Sequence, residues 1–129
     1  MGSSGAAPKK VTTFQDLIVW QKSMDLIEAL NEPLQLFPKF ELFVLNAQMR
    51  KSALSIPSNI FQGHDRRNKN EFLHFLGIAR GSLAELQTQI LVAGRLRYWP
   101  KETVEVFFLR TVEISKMLNA LMKSLQRGS

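Results

Sequence analysis

The stretch VEVFFLRTVEISKMLNALMKSL, residues 104–125, decides the fold. Its apolar positions Val104, Phe107, Thr111, Ile114, Leu118, Leu121 and Leu125 follow spacings of 3, 4, 3, 4, 3 and 4. Only a helix places such a series on one face, and one apolar face needs other helices to cover it. Pro100 suits the first turn, where a missing N–H deprives no intrahelical partner.

Working backward, the same period recurs three times. Phe72, Phe75, Ala79, Leu83, Leu86, Ile90 and Ala93 form a stripe that runs to about Leu96. Asn68 followed by Glu71 marks its start as a capping box with Asn in the Ser/Thr place. Gly77 and Gly81, one turn apart, predict a close approach by another backbone there. A second segment, roughly Glu41 to Phe61, turns Leu42, Leu45, Met49, Ala53, Ile56 and Ile60 inward, and Pro57 should bend it one turn before its end. The first segment starts near Asp16 and uses Leu17, Trp20, Met24, Ile27, Leu30 and Leu34, with a kink expected at Pro33. Links at 37–41, 62–67 and 96–100 are short, so neighbours run antiparallel. The expected architecture is an all-α, up-down-up-down four-helix bundle spanning residues 13–126. Residues 1–12, with MGSSGAAPKK at their head, read as a tail or expression scar without a signal-peptide apolar region, and 127–129 as a second tail.

Composition agrees with one domain. The chain has 129 residues, 45% hydrophobic and 22% charged, and this length buries roughly 65–70% of the unfolded surface. No apolar run reaches the ~20 residues of a spanning helix, so no membrane role is expected. The absence of cysteine excludes disulfides and cysteine-ligated zinc, and fits a cytoplasmic setting.

Catalytic patterns are poor. His64 and His74 are the only histidines, and their separation matches no metal-ligand spacing. His64-Asp65 reads as a solvated loop pair. Glu71 and His74 form one Glu-x-x-His unit, but a carboxylate-bridged bundle site needs two. Neither a nucleophile elbow nor a phosphate-cradling Gly-rich loop occurs. The expectation is a non-enzyme with no cofactor and no metal.

Charge is more informative. Lys and Arg exceed Asp and Glu by six, and residues 50–97 carry five of that excess: Arg50, Lys51, Arg66, Arg67, Lys69, Arg80, Arg95 and Arg97 against Asp65, Glu71 and Glu85. These eight are the candidate nucleic-acid contacts, because the guanidinium fork suits phosphate oxygens and backbone neutralisation supplies most sequence-independent affinity. Arg66, Arg67 and Lys69 belong to one pole; Arg50, Lys51, Arg95 and Arg97 lie nearer the other. On assembly they are expected to converge into one phosphate-attracting field. The phenylalanines fall mostly on core stripes, which argues against base stacking in the manner of single-strand binders.

Gln48, Ser52, Ser55, Asn59 and Gln62 form a charge-free polar row at spacings 4, 3, 4 and 3. It fits either a subunit interface or a solvated stripe. Ile18, Phe43, Leu54, Phe61, Leu73, Phe108 and Met117 lie off the stripes and cannot all enter one core, which favours association.

These residues also resemble a known family. Phe14-x-Asp16-Leu17-x-Val19-Trp20-Gln21-Lys22, Phe37-Pro38, Gln48-Met49-Arg50, Ser55-Ile56-Pro57-Ser58-Asn59-Ile60, Gly63, Glu71-Phe72-x-x-Phe75-Leu76 and Gly81-Ser82-Leu83-x-Glu85-Leu86 are similar to the bundle proteins encoded in intervening sequences of bacterial 23S ribosomal RNA. That family is related to the accessory variability determinant proteins of diversity-generating retroelements. The resemblance covers about residues 14–125. It implies a barrel-like homopentamer without known catalysis, whose retroelement relatives bind nucleic acid through basic surfaces and associate with a reverse transcriptase. The family's basic pairs fall on Arg50-Lys51 and Arg66-Arg67. Gln62 and Gln87 stand where the family usually has glutamate, and Phe61 where it has alanine, adding bulk that needs a pocket in a neighbouring subunit.

The resulting expectation is an oligomeric accessory protein that holds RNA or DNA on basic surfaces, with Gln48, Ser52, Ser55, Asn59, Phe61 and Gln62 at the interface. The alternative is a protein-interaction scaffold that does not touch nucleic acid.

Overall fold

The computed structural model describes residues 17–128, so the tail over 1–12, with Lys9 and Lys10, lies outside the described residues. Four helices follow one another: α1 (Ile18–Leu34), α2 (Leu45–Asp65), α3 (Lys69–Arg95) and α4 (Lys101–Arg127), with a 3-10 turn at Lys39–Glu41. Successive helices pack side by side and α1 closes against α4, giving the expected antiparallel bundle, with the α2–α3 hairpin its most extensive pairing. Among the described residues there is no strand. The core is mainly apolar, with Ser23 and Thr111 also buried in it, and Leu26, Met49, Ile56, Ile60, Leu76, Leu86, Ile90 and Leu118 are completely buried.

Local chemistry explains the ends. Asn68 caps α3 by accepting the Glu71 N–H at 3.1 Å, a contact worth about 1 kcal/mol. Pro100 sits one residue ahead of α4, at its N-cap rather than within its first turn. At the end of α1, Trp99 Nε1 donates to Pro33 O at 2.8 Å and Asn46 Nδ2 to Leu34 O at 2.6 Å. Two carbonyls at a helix C-terminus thus gain partners from α2 and the α3–α4 link. Phe37, Tyr98, Trp99 and Phe107 stack around this junction with ring centroids 5.2–5.6 Å apart.

Several expectations are corrected. The inward stripe of α1 is Val19, Ser23, Leu26, Leu30 and Leu34, so most of it is displaced from the predicted line; Trp20 and Ile27 are half-buried and Met24 is exposed. Ser23 escaped notice because its hydroxyl is satisfied locally, donating to Trp20 O at 2.8 Å. Pro33 falls in the last turn of α1, where a helix that is ending anyway tolerates it, and no mid-helix kink is needed. Helix α2 begins and ends one turn later than expected: Leu42 lies outside it and is exposed, Pro57 is two turns from its end, and the α2–α3 loop shrinks to three residues.

The glycine expectation also fails at Gly77 and Gly81, where an added Cβ meets nothing within 4 Å. Close approach occurs elsewhere. A Cβ on Gly63 would lie 2.7 Å from Phe75 Cβ, and one on Gly94 would lie 2.8 Å from Val104 Cγ2. These two glycines let α2 meet α3, and α3 meet α4, beside the interhelical turns.

Candidate nucleic-acid interface

The eight predicted basic residues do not converge within one chain. Arg66, Arg67 and Lys69 gather at the α2–α3 loop, while Arg95 and Arg97 lie at the opposite pole. The 27 residues of α3 separate the two groups by about 40 Å, several Debye lengths at ordinary salt. Arg80 projects from the middle of α3 toward α4, donating to Asn119 Oδ1 at 3.0 Å. Arg50 reaches toward α1, donating to Asn46 Oδ1 at 3.0 Å and Asn31 Oδ1 at 3.3 Å. Lys51 lines the α2–α3 groove.

The poles differ in electrostatic quality. At the α2–α3 loop, Asp65 and Glu71 stand among the three cations; Arg66 lies 4.0 Å from Glu71 and over the Phe75 ring at 5.1 Å. At the other pole Arg95, Arg97 and Lys101 line one cleft of about 780 Å³ with Leu91, Tyr98 and Val104, and no carboxylate lines it. All three cations are exposed. Arg97 holds φ at 63°, a left-handed conformation that reverses the chain between α3 and α4. Lys101 was missed in the sequence because it lies just outside the basic window, at the start of the next helix.

The polar row does not stand alone toward solvent. Its middle faces α3: Ser52 Oγ donates to Glu85 Oε1 at 3.2 Å and the Ser55 and Ser82 hydroxyls share a bond of 2.7 Å, while Asn59 Nδ2 donates back within α2 to Ser55 O at 2.7 Å. Gln48 and Gln62 remain exposed. The groove between the helices measures about 390 Å³, and Glu85, Ser82 and Gln89 complete it. Those three lay unmarked in the sequence as a site, because α3 was read for its apolar stripe. Phe61 lies on the other flank of α2, 45% exposed, beside Trp20, Met24, Leu54 and Pro57. It therefore does not share a face with the polar row.

Gln87 donates to Thr111 Oγ1 at 3.0 Å, while the Thr111 hydroxyl spends its own proton on Phe108 O at 2.6 Å. The threonine oxygen thus needs a donor, which an amide supplies and a carboxylate does not. No group of three or more His, Cys, Asp or Glu among the described residues could hold a metal ion. No helix among them is long and apolar enough to cross a membrane.

Comparison with known proteins places this architecture. No curated protein matches the sequence. A crystal structure of a protein of unknown function from the S23 ribosomal protein family of Bacteroides thetaiotaomicron superposes with a TM-score of 0.76. It is 23% identical, over 82% of this chain and 96% of its own. The family model for the 23S rRNA-intervening sequence protein matches residues 15–120, nearly the whole bundle. With both the sequence pattern and the helical framework in agreement, the chain belongs to the 23S rRNA-intervening sequence protein family.

Proposed function

We propose that this protein is a non-enzymatic, oligomeric accessory protein that binds nucleic acid, RNA first, through its basic pole. One observation carries the reading: Arg95, Arg97 and Lys101 share a cleft whose lining contains no carboxylate. Three cations outside either ion pair found among the described residues attract a polyanion and release its condensed counterions on binding. Arg50 and Lys51 sit five and six residues into α2, in the same half of the bundle, and extend the track. The family's name ties its members to genes within 23S rRNA, which supports an RNA-related role. A reverse transcriptase is the protein partner implied by the retroelement resemblance.

Fluorescence-anisotropy titration at about 50 mM salt with single- and double-stranded RNA and DNA tests this. The informative variant is Arg95→Ala, Arg97→Gly, Lys101→Ala, where glycine keeps the left-handed turn while removing the charge. Weaker binding by about tenfold or more, alike across sequences, is expected. No binding by the native protein, or binding untouched by the triple change, overturns the reading.

A second reading draws on the exposed apolar run at the same pole: Leu36, Phe40, Leu42, Phe43 and Val44, with Phe43 91% exposed. An apolar patch of this kind fits a docked protein, and a scaffold role predicts partner capture that survives nuclease treatment.

A further inference from the structure

Resting on the nucleic-acid reading, the link between α1 and α2 supports a statement about which form of nucleic acid the basic pole holds. Phe43 is 91% exposed and Phe40 73%, and both lie outside the four long helices. Aromatic rings left in water forfeit the gain of burial, so two in one short link call for something to cover them. The link is anchored at two points. Phe37 is buried against Tyr98 and Trp99, with ring centroids at 5.2 and 5.6 Å. Glu41, its only carboxylate, accepts the Tyr98 hydroxyl at 2.7 Å and the Leu45 N–H at 3.3 Å, and so is bonded inward. Between these anchors the 3-10 turn at Lys39–Glu41 leaves Phe40 facing outward. The Phe40 ring meets Tyr98 edge-on at 6.4 Å, and Tyr98 also lines the cleft of Arg95, Arg97 and Lys101. Lys39, beside Phe40, is exposed and outside either ion pair found among the described residues. Exposed rings and cations thus adjoin at one pole.

We propose that this pole takes single strands, whose unpaired bases stack on Phe40 and Phe43 while Lys39, Arg95, Arg97 and Lys101 hold the backbone. A single strand offers an anionic backbone and free ring faces together, and cations set beside exposed aromatic side chains match both. A duplex keeps its ring faces inside its own stack and meets only the cations. Phe40 and Phe43 are three residues apart, at most about 11 Å of chain, within reach of neighbouring bases on one strand. Every base has a ring face, so the preference is for strandedness and not for sequence. Leu36 stays out of this surface, because it lines a separate cleft with Glu32 and Glu102, whose charges repel phosphate. A protein docked on the same run, another copy of this chain included, is the competing occupant. It would need the apolar area and not the rings.

The test uses the full chain and three labelled RNA probes: an unstructured strand, the same strand with abasic riboses replacing its central nucleotides, and its duplex. The native protein is expected to bind the intact strand about tenfold more tightly than the abasic one, which carries the same phosphates. The double change Phe40→Leu, Phe43→Leu keeps the apolar area and removes the rings. It should abolish most of that difference while leaving duplex binding and particle mass unchanged. Phe43→Trp, which keeps a ring face, should retain the difference. Equal binding of the intact and abasic strands by the native protein overturns the stacking assignment and leaves the nucleic-acid reading standing. A difference that survives the double change overturns it too, as does one lost in Phe43→Trp. So does a loss shared equally by the duplex, or a change in particle mass. Failure to bind any probe removes both readings.

Discussion

A single methyl group separates the glycines that matter from those that do not. At Gly94 a Cβ would press on Val104 Cγ2 at 2.8 Å, and α4 would have to shift. At Gly81 the same carbon enters open space, so Gly81→Ala gains helix propensity without cost to packing. Thermal or denaturant unfolding should show Gly81→Ala stabilising by roughly 0.5–1 kcal/mol. Gly94→Ala should destabilise by about 1–3 kcal/mol, the usual penalty of overpacking. The sequence singles out Gly77 and Gly81 instead, because propensity counts the residue and not what stands opposite it. Tyr98 is a second case. Its hydroxyl donates to Glu41 Oε2 at 2.7 Å, and that bond, aided by desolvation and the carboxylate's charge, raises the phenol above its ordinary value near 10. The folded state thus holds this proton more tightly than the unfolded chain does. Its contribution is complete below pH 10 and declines as pH rises above it. Melting curves between about pH 9 and 11 should fall more steeply for the native protein than for Tyr98→Phe.

At the scale of elements, the long amphipathic helices were legible and the junctions were not. Helix α4 was readable because its core residues Phe107, Thr111, Ile114 and Leu118 hold the heptad phase without interruption. The Asn68 cap was readable because its geometry is local. Helix α1 misled because Trp20, Met24 and Ile27 are as apolar as the true core line, and its real stripe admits a serine. The start of α2 misled because Leu42, Phe43 and Val44 continue an apolar run that the fold leaves outside. The polar row is visible in the sequence as a spacing, yet its partner, the face of α3 carrying Ser82, Glu85 and Gln89, appears only when the two helices are set side by side.

At the scale of the whole molecule, the bundle satisfies its core and leaves much apolar surface uncovered. Ile18, Leu54, Phe61, Val106 and Leu109 are each at least 45% exposed, beyond the run at residues 36–44. Light scattering at micromolar concentration should return several times the 14.7 kDa of one chain; a particle of single-chain mass contradicts the expected assembly. Cations 40 Å apart in one chain do not act as one field, so joining the poles into a track depends on that assembly. The α3–α4 cleft needs no such help, because its three cations already face one space. The decisive measurement is the slope of log binding constant against log salt concentration for single-stranded RNA. The native slope should be steep and negative, and the Arg95→Ala, Arg97→Gly, Lys101→Ala change should flatten it by about two. Parallel slopes for the two proteins would contradict the assignment of the polyanion to this pole.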